Sequence, residues 1–313
     1  TLEALEDGRV ALNDSVTVSP NAAAMKGSQA LLDANAVYSL EDLLRTTIMA
    51  SANDSAVALA EYLAGTEQAF VERMNARASE IGMADTLYVN CTGYPQSGQH
   101  TTARDVMRLC CEVARHPDYF RYASVWIDKL THPGGRVTDL TNTNRLVRFY
   151  AGCDGFKTGS TDAAKYCVAA TAEKNGMRLV AVVLGASNSQ TRFNEARQML
   201  EYGFAAYQRT TVARKGDLLG QSLSVRGGSS EEVPLMLGNG LSLLLKKGQE
   251  TNLAIELCLP ENVQAPVIQG DVLGTVNVLL DGMVIARLNC LAASDVPRPG
   301  FIEGFYRIVQ AWR

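Results

Sequence analysis

The sequence contains no uninterrupted apolar run of the roughly 18 residues that a membrane-spanning helix requires, because charged residues interrupt its most hydrophobic segments. It also lacks an excess of positive charge, since 29 Lys and Arg against 33 Asp and Glu give a formal net charge of −4. A nucleic-acid partner bound through a basic surface is therefore excluded. The remaining composition, 47% apolar and 20% charged over 313 residues, is typical of a globular chain of about two domains.

Familiar catalytic and metal-binding motifs are also absent. The chain has no Gly-x-Ser-x-Gly, no Walker loop and no His-Glu-x-x-His, and its three histidines lack the spacing of metal ligands. Its seven cysteines are an odd number without a Cys-x-x-Cys pair, so a zinc ribbon and a complete disulfide framework are excluded. We expect each cysteine to be a small buried apolar residue. We expect no metal and no nucleotide cofactor.

The segment from 39 to 116 has helical periodicity. Ser39 with Asp42, and Thr102 with Asp105, are capping boxes that predict helix starts. The sequence Ser51-Ala52-Asn53-Asp54 predicts a break between two helices, and Pro117 is expected to stop the last helix of this region.

From residue 157 onward the pattern changes to strands. The runs 166–171 and 179–184 are joined through Lys174-Asn175-Gly176, which predicts a hairpin, and 191–204 returns to helical spacing. The sequence therefore predicts a first domain, 1–210, in which helical layers enclose a sheet. Residues 211–293 predict a small all-β domain, and 294–313 an amphipathic tail helix with Phe301, Phe305, Ile308 and Trp312 on one face. Such a helix can lie in a membrane interface or pack on its own domain.

Two short motifs remain as candidates for chemistry. Ser51-Ala52-Asn53 lies in the predicted break between helices, and Lys157-Thr158-Gly159 lies at the start of the predicted sheet. Acyl transfer without histidine needs a lysine of lowered pKa together with donors that hold a substrate carboxylate and carbonyl. A serine–asparagine helix cap and a solvated lysine are the structural alternatives for these motifs.

These motifs, in this order, resemble the D-alanyl-D-alanine carboxypeptidases, which are the low-molecular-mass penicillin-binding proteins. The resemblance also includes the segments Asn90-Cys91-Thr92-Gly93, Thr101-Thr102-Ala103-Arg104-Asp105 and Gly155-Phe156 ahead of Lys157. It implies an α/β (α+β) fold in which a transpeptidase/β-lactamase-like domain is followed by the β-rich domain and the tail. It extends over nearly the whole chain.

By this resemblance, specific residues are assigned roles in removing the terminal D-alanine from peptidoglycan stem peptides. Ser51 would help to transfer a proton, Asn53 would hold the substrate amide, and Lys157 and Thr158 would bind the terminal carboxylate. Gly159 would leave room for substrate at the strand edge, and Ser160 would contribute its backbone N–H to the oxyanion hole. The resemblance also implies β-lactams as ligands and export to the outer face of the cytoplasmic membrane, the periplasm or the cell wall.

The sequence departs from the family at one motif. No serine is followed three positions later by lysine, so the nucleophile and base of the family's Ser-x-x-Lys motif are absent from these residues. The segment 1–8 is expected to be the end of an amphipathic helix, and we expect the chain to be a shortened form of an authentic enzyme that is inactive as it stands.

Two alternatives remain open beside the carboxypeptidase. A non-catalytic peptidoglycan-binding or scaffolding homologue would keep the pocket without the chemistry. A class A β-lactamase is disfavoured, because that group lacks the extra β domain and the sequence offers no Glu-x-x-x-Asn segment between the two motifs.

Overall fold

The computed structural model of the protein describes residues 1–300. The chain divides into two compact units, Thr1–Ala205 and Ala206–Arg313. Within the described residues no helix has both the length and the hydropathy needed to cross a bilayer.

The helices of the described chain lie ahead of the β-rich unit. In chain order they are α1 (Leu2–Glu6), α2 (Pro20–Ala23), α3 (Leu40–Ala50), α4 (Asn53–Ala64), α5 (Glu67–Glu80), α6 (Ala103–Val113), α7 (Pro117–Ala123), α8 (Leu146–Phe149) and α9 (Ser189–Ala206). A short 3₁₀ helix covers Gln249–Asn252.

The strands divide between the two units. The first unit contains β1 (Ser15–Thr17), β2 (Val37–Ser39), β3 (Ile127–Thr131), β4 (Val137–Thr141), β5 (Cys153–Thr161), β6 (Lys165–Lys174) and β7 (Met177–Ala186). The second contains β8 (Tyr207–Ala213), β9 (Leu218–Arg226), β10 (Glu232–Leu237), β11 (Leu241–Lys246), β12 (Leu253–Cys258), β13 (Val263–Gln264), β14 (Val272–Leu280) and β15 (Met283–Ala292).

Both predicted capping boxes begin helices. The Ser39 hydroxyl accepts a hydrogen bond from the Asp42 backbone N–H at 3.0 Å at the start of α3. The Thr102 hydroxyl accepts one from the Asp105 N–H at 3.2 Å at the start of α6. These bonds satisfy backbone donors that the first helical turn leaves without partners. The capping predictions are confirmed.

The main sheet of the first unit has the antiparallel order β5-β6-β7. The predicted β6–β7 hairpin is confirmed, with Asn175 and Gly176 at φ 53° and 70°, as a tight hairpin turn requires. Helix α9 packs on one face of the sheet, in a core that includes Ala170, Ala181, Phe193 and Leu200. The opposite face packs against α3 and α7, in a core that includes Leu44, Ile48, Tyr119, Phe156 and Ala169. The expected sheet between helical layers is therefore present.

The second unit is all-β, as expected. Its larger sheet has the order β12-β14-β15-β10-β9-β13, and β11 pairs with β8. The turn between β14 and β15 places Asp281 and Gly282 at φ 53° and 79°, again a hairpin geometry. Alternating apolar side chains of these strands form a separate core around Val233, Leu235 and Val278.

Three expectations need correction. Pro117 begins α7 rather than only stopping a helix, because the first position of a helix needs no backbone N–H. Residues 294–300 are not helical, since Val296 pairs with Val267 and the Pro297 carbonyl accepts from the Ser229 N–H. Of the predicted tail helix, 301–313 lies outside the described residues, as do Phe301, Phe305, Ile308 and Trp312.

The third correction concerns the cysteines. All seven are free, and Cys110, Cys153 and Cys290 are buried as expected. Cys111 and Cys258 are exposed, so the expectation of burial is wrong for them.

Candidate active site

Ser51 and Asn53 lie on either side of a sharp turn between two helices. Ser51 ends α3 in the left-handed region, at φ 60° and ψ 36°, and α4 begins at Asn53. A residue other than glycine adopts this conformation at a cost of about 1 kcal/mol, which the surrounding core must offset. Within residues 1–300 the half-buried Ser51 hydroxyl makes no hydrogen bond, so its oxygen is available to a ligand.

The Asn53 amide is held by the loop that precedes β2. Its Nδ2 donates to the Lys26 carbonyl at 2.7 Å, and its backbone N–H donates to the Ser28 carbonyl at 2.8 Å. Gly27 lies so close that a Cβ there would be 2.8 Å from Asn53 Nδ2, and its φ of +89° also favours glycine. These contacts orient the side-chain amide and leave its Oδ1 unpaired in the described part of the chain.

Lys157 and Thr158 lie on β5 at the edge of the sheet. Lys157 is half-buried, and its ammonium donates to the Thr158 carbonyl at 3.1 Å. Burial and, to a lesser extent, the nearby Arg192 guanidinium lower the pKa of Lys157 to about 8. The sheet edge thus carries a lysine that is still mostly protonated at neutral pH and loses its proton at a lower pH than an ordinary lysine does.

Hydrogen bonds connect Thr158 to the end of α3. The Thr158 hydroxyl donates to the Thr143 hydroxyl at 2.8 Å, and the Thr143 backbone N–H donates to the Met49 carbonyl at 3.0 Å. Met49 precedes Ser51 by two residues, so this path links the Lys157-Thr158-Gly159 motif to the last turn of the helix that ends at Ser51. Leu44 and Ile48 of α3 share a core with Phe156, which supports the same juxtaposition.

Gly159 and Ser160 complete the exposed end of β5. No heavy atom lies within 4 Å of the position that a Gly159 Cβ would occupy, so the strand is open there. Because β5 is an edge strand, one side of its backbone is available to an extended ligand. Ser160 pairs with Tyr166 on β6 and is exposed.

Two further residues of the site were not predicted. Thr143 connects the motifs, as described above, and Arg192 on α9 donates to the carbonyls of Gly159 and Cys167 at 3.0 and 3.1 Å. Arg192 is 8% exposed, and its Nε has no hydrogen-bond partner in the described structure. The sequence offers one weak signal for Arg192. It is a charged residue next to Phe193, which belongs to the apolar face of the predicted helix 191–204.

One group of potential metal ligands occurs within residues 1–300, and it lies away from these motifs. Glu3, Glu112 and His116 bring their ligand atoms within 4.8 Å of one another. The Arg77 guanidinium already pairs with Glu3 at 2.8 Å and with Glu112 at 2.6 Å. The Arg77 guanidinium therefore already neutralises the two carboxylates that a metal ion would need as ligands.

The lowered pKa of Lys157 predicts a pH-dependent stability. Between about 8 and the usual 10.5, the unfolded chain binds more protons than the folded chain at this group, so the free energy of unfolding rises with pH. The gain is up to about 3 kcal/mol. Urea unfolding at pH 7.5 and 10 should show this gain as a difference between the wild type and Lys157→Met, because the buried cysteines change the stability of both proteins alike. The exposed-site control Lys215→Met should follow the wild type, and an equal change in all three proteins would contradict the assignment.

Comparison with known proteins gives consistent matches over both units. Residues 1–188 match the family model of the D-alanyl-D-alanine carboxypeptidases, peptidase S11, and 207–298 match the C-terminal domain of penicillin-binding protein 5. The chain is 34% identical to D-alanyl-D-alanine carboxypeptidase DacF of Bacillus subtilis, over 99% of this chain and 80% of that protein. It is 33% identical to DacC of Escherichia coli, over 96% of this chain and 76% of that protein.

A solved structure agrees with these sequence matches. Penicillin-binding protein 5 from Haemophilus influenzae superposes with a TM-score of 0.72 at 29% identity, over 95% of this chain and 87% of that one.

Proposed function

Because the chain belongs to the D-alanyl-D-alanine carboxypeptidase family of serine-type hydrolases, we propose that its β5 edge binds the D-Ala-D-Ala end of a peptidoglycan stem peptide. The family acts on the cell wall, which implies an exported protein. The finer location, at the outer face of the cytoplasmic membrane or in the periplasm or wall, is part of the proposal. So is a membrane contact of the tail through Phe301, Phe305, Ile308 and Trp312.

The observation that carries the proposal is the path of hydrogen bonds from Thr158 through Thr143 to Met49. This path supports the proposal that the carboxylate-binding candidates Lys157 and Thr158 act together with the turn that carries Ser51. In the proposed complex, the ammonium and the hydroxyl bind the terminal carboxylate in a charge-assisted interaction.

The other site residues take complementary roles in this proposal. Asn53 holds the substrate amide through its unpaired Oδ1, and Ser51 transfers a proton toward the departing D-alanine. Gly159 leaves room for the peptide along the strand. The Ser160 backbone N–H stabilises the oxyanion that forms when the carbonyl is attacked.

The full reaction requires a nucleophile and a base that residues 1–313 do not contain in the family's Ser-x-x-Lys form. We therefore propose that this polypeptide binds D-Ala-D-Ala peptides and penicillins reversibly and does not form an acyl-enzyme. In domain terms, we propose residues 1–210 as the carboxypeptidase domain, 211–293 as the β-rich domain and 294–313 as the tail.

Calorimetry with a pentapeptide ending in D-Ala-D-Ala tests the binding site. Lys157→Met and Thr158→Val are expected to weaken binding about tenfold or more, because each removes a partner of the substrate carboxylate. Lys215→Met, an exposed lysine of the second unit, is the matched control. The diastereomer ending in L-Ala-L-Ala should bind weakly to all variants. Unchanged affinity in both site variants would overturn the proposal.

A second candidate is a non-catalytic peptidoglycan-binding or scaffolding homologue, which would use the ligand site described above. Measurable binding of the D-Ala-D-Ala peptide without turnover by the full-length protein would support it over the carboxypeptidase.

A further inference from the structure

A cleft of about 230 Å³ lies between α8 and α9, outside the site proposed above. It is lined by Arg145 and Phe149 on one side and by Gln190, Asn194 and Arg197 on the other. Pockets for drug-sized ligands begin at about 300 Å³, so this cleft has room for about one ring-sized group.

The aromatic wall of the cleft is unusually exposed. Phe149 is 63% exposed, and its ring centroid lies 6.0 Å from that of Trp126 at an interplanar angle of 67°. An exposed aromatic ring such as that of Phe149 is a feature of ligand surfaces, since burying it in the fold would otherwise be favourable. It provides a flat apolar face for the C–H side of a sugar ring.

The charge of the cleft is positive and largely unneutralised. The Arg145 guanidinium lies over the Phe149 ring at 5.8 Å from its centroid. Neither Arg145 nor Arg148 forms an ion pair within residues 1–300, whereas Arg197 pairs with Glu201 at 2.7 Å. Arg145 therefore presents an unpaired charge in the cleft, and Arg148, which is exposed on α8, does not line it. An arginine stacked on an aromatic ring is suited to a planar carboxylate.

The cleft also offers neutral hydrogen-bonding groups. Gln190 Nε2 donates to Asn194 Oδ1 at 2.9 Å. This bond leaves the Gln190 carbonyl and the Asn194 amide N–H free in the described structure. A hydroxyl or an acetamido group of a sugar can use both.

The cleft is rigidly connected to the proposed active site. Asn144 is fully buried and donates to the Gly155 carbonyl at 2.9 Å, and its Oδ1 accepts from the first N–H of α8. Thr143, the residue before it, contacts Thr158. Consecutive Cα atoms are 3.8 Å apart, so the Cα of Arg145 lies within about 7.6 Å of that of Thr143. The Arg145 edge of the cleft is therefore close to the Thr143–Thr158 contact of the proposed active site.

We propose that the cleft between α8 and α9 is a second binding site, which takes a sugar ring of an anionic glycopeptide whose peptide end occupies β5. This inference rests on the proposed function, which supplies the peptide end. Phe149 contacts the ring, Gln190 and Asn194 bind its polar substituents, and Arg145 binds a carboxylate of the stem peptide.

The test compares two ligands on the full chain. One is a disaccharide-pentapeptide ending in D-Ala-D-Ala, and the other is the same pentapeptide without sugar. Calorimetry measures both affinities. The fluorescence of Trp126, whose ring neighbours that of Phe149, reports whether the cleft is occupied. The chain has two tryptophans, so Trp312→Phe leaves Trp126 as the only emitter.

The glycopeptide is expected to bind about tenfold more tightly and to change Trp126 emission, whereas the free peptide does not change it. Phe149→Ala should reduce this preference and leave free-peptide affinity unchanged, whereas Arg145→Gln should weaken both ligands, because the carboxylate that Arg145 binds is present in each. Tyr202→Ala, which truncates an aromatic residue that is 69% exposed on α9, is the matched control.

Equal affinity for the two ligands, or a preference that survives Phe149→Ala, would overturn the sugar site. The variant Lys157→Met tests the proposed function independently of the cleft. If Lys157→Met weakens both ligands while the preference is absent, the function stands and the cleft proposal fails. If only the cleft variants affect binding, the sugar site stands and the β5 assignment fails.

Discussion

Incubated with benzylpenicillin, the 313-residue chain is expected to keep its unmodified mass. Covalent binding requires a serine oxygen to attack the β-lactam carbonyl, with cleavage of the ring C–N bond and transfer of a proton to the ring nitrogen. No serine of the chain has a lysine three positions on to accept the hydroxyl proton. Removing the nucleophile of an acyl-transfer site lowers the rate by on the order of 10⁶, and here the base is missing as well.

Intact-protein mass spectrometry measures this outcome directly. Penicillin-binding protein 5 from Haemophilus influenzae, a solved relative, is the positive control. The chain should still bind the antibiotic reversibly, so penicillin is expected to compete with the D-Ala-D-Ala peptide and Lys157→Met to weaken that competition. A stoichiometric adduct on the chain would disprove the proposed inactivity, and peptide mapping would then identify the serine involved.

Replacing Asp54 by alanine is expected to lower the free energy of unfolding of the first unit by about 3–5 kcal/mol. Asp54 is fully buried, and its carboxylate accepts backbone N–H bonds from Ala30 at 2.9 Å, Leu32 at 3.1 Å and Ser55 at 2.9 Å. Truncation leaves these buried donors without partners, and it also opens a cavity.

Urea unfolding of the wild type, Asp54→Ala and Asp54→Asn measures the effect. The asparagine variant should lose less stability, because it retains one acceptor oxygen in nearly the same volume. Asp85→Ala is the control, since the Asp85 side chain is exposed and makes no hydrogen bond in the described chain. Peptide affinity should fall together with stability. Asp54 holds Ala30 and Leu32, which directly follow the loop that orients the Asn53 amide. A loss below about 1 kcal/mol would contradict the structural role assigned to this carboxylate.

Much of the fold could be predicted from local patterns. Ser39 and Thr102 cap helices because their hydroxyls reach N–H groups three residues on, whatever lies elsewhere in the chain. Asn175-Gly176 and Asp281-Gly282 form hairpin turns because these residue types tolerate positive φ. The prediction for Pro117 was incomplete. The fixed φ and missing N–H of proline stop a preceding helix, and the same two properties suit the first position of the next one.

The motifs of the candidate site were also visible in the sequence, but their arrangement was not. Ser51 and Lys157 were selected by residue type and by family resemblance, and their roles stay predictions. The positions of Thr143 and Arg192 depend on which strand and helix pack together. Their side chains meet Thr158 and Gly159 across 15 and 33 positions of sequence.

The amino-acid order by itself determined where helices begin, where hairpins turn and which motifs the chain contains, because those features depend on interactions within a few residues. Only the tertiary structure decided that the end of α3 meets β5 through Thr143, that Asp54 holds a distant loop, and that Arg145 and Arg148 beside Phe149 have no acidic partner among residues 1–300. Such contacts result from the packing of whole elements around a shared core, and no local period encodes which distant side chains that packing brings together.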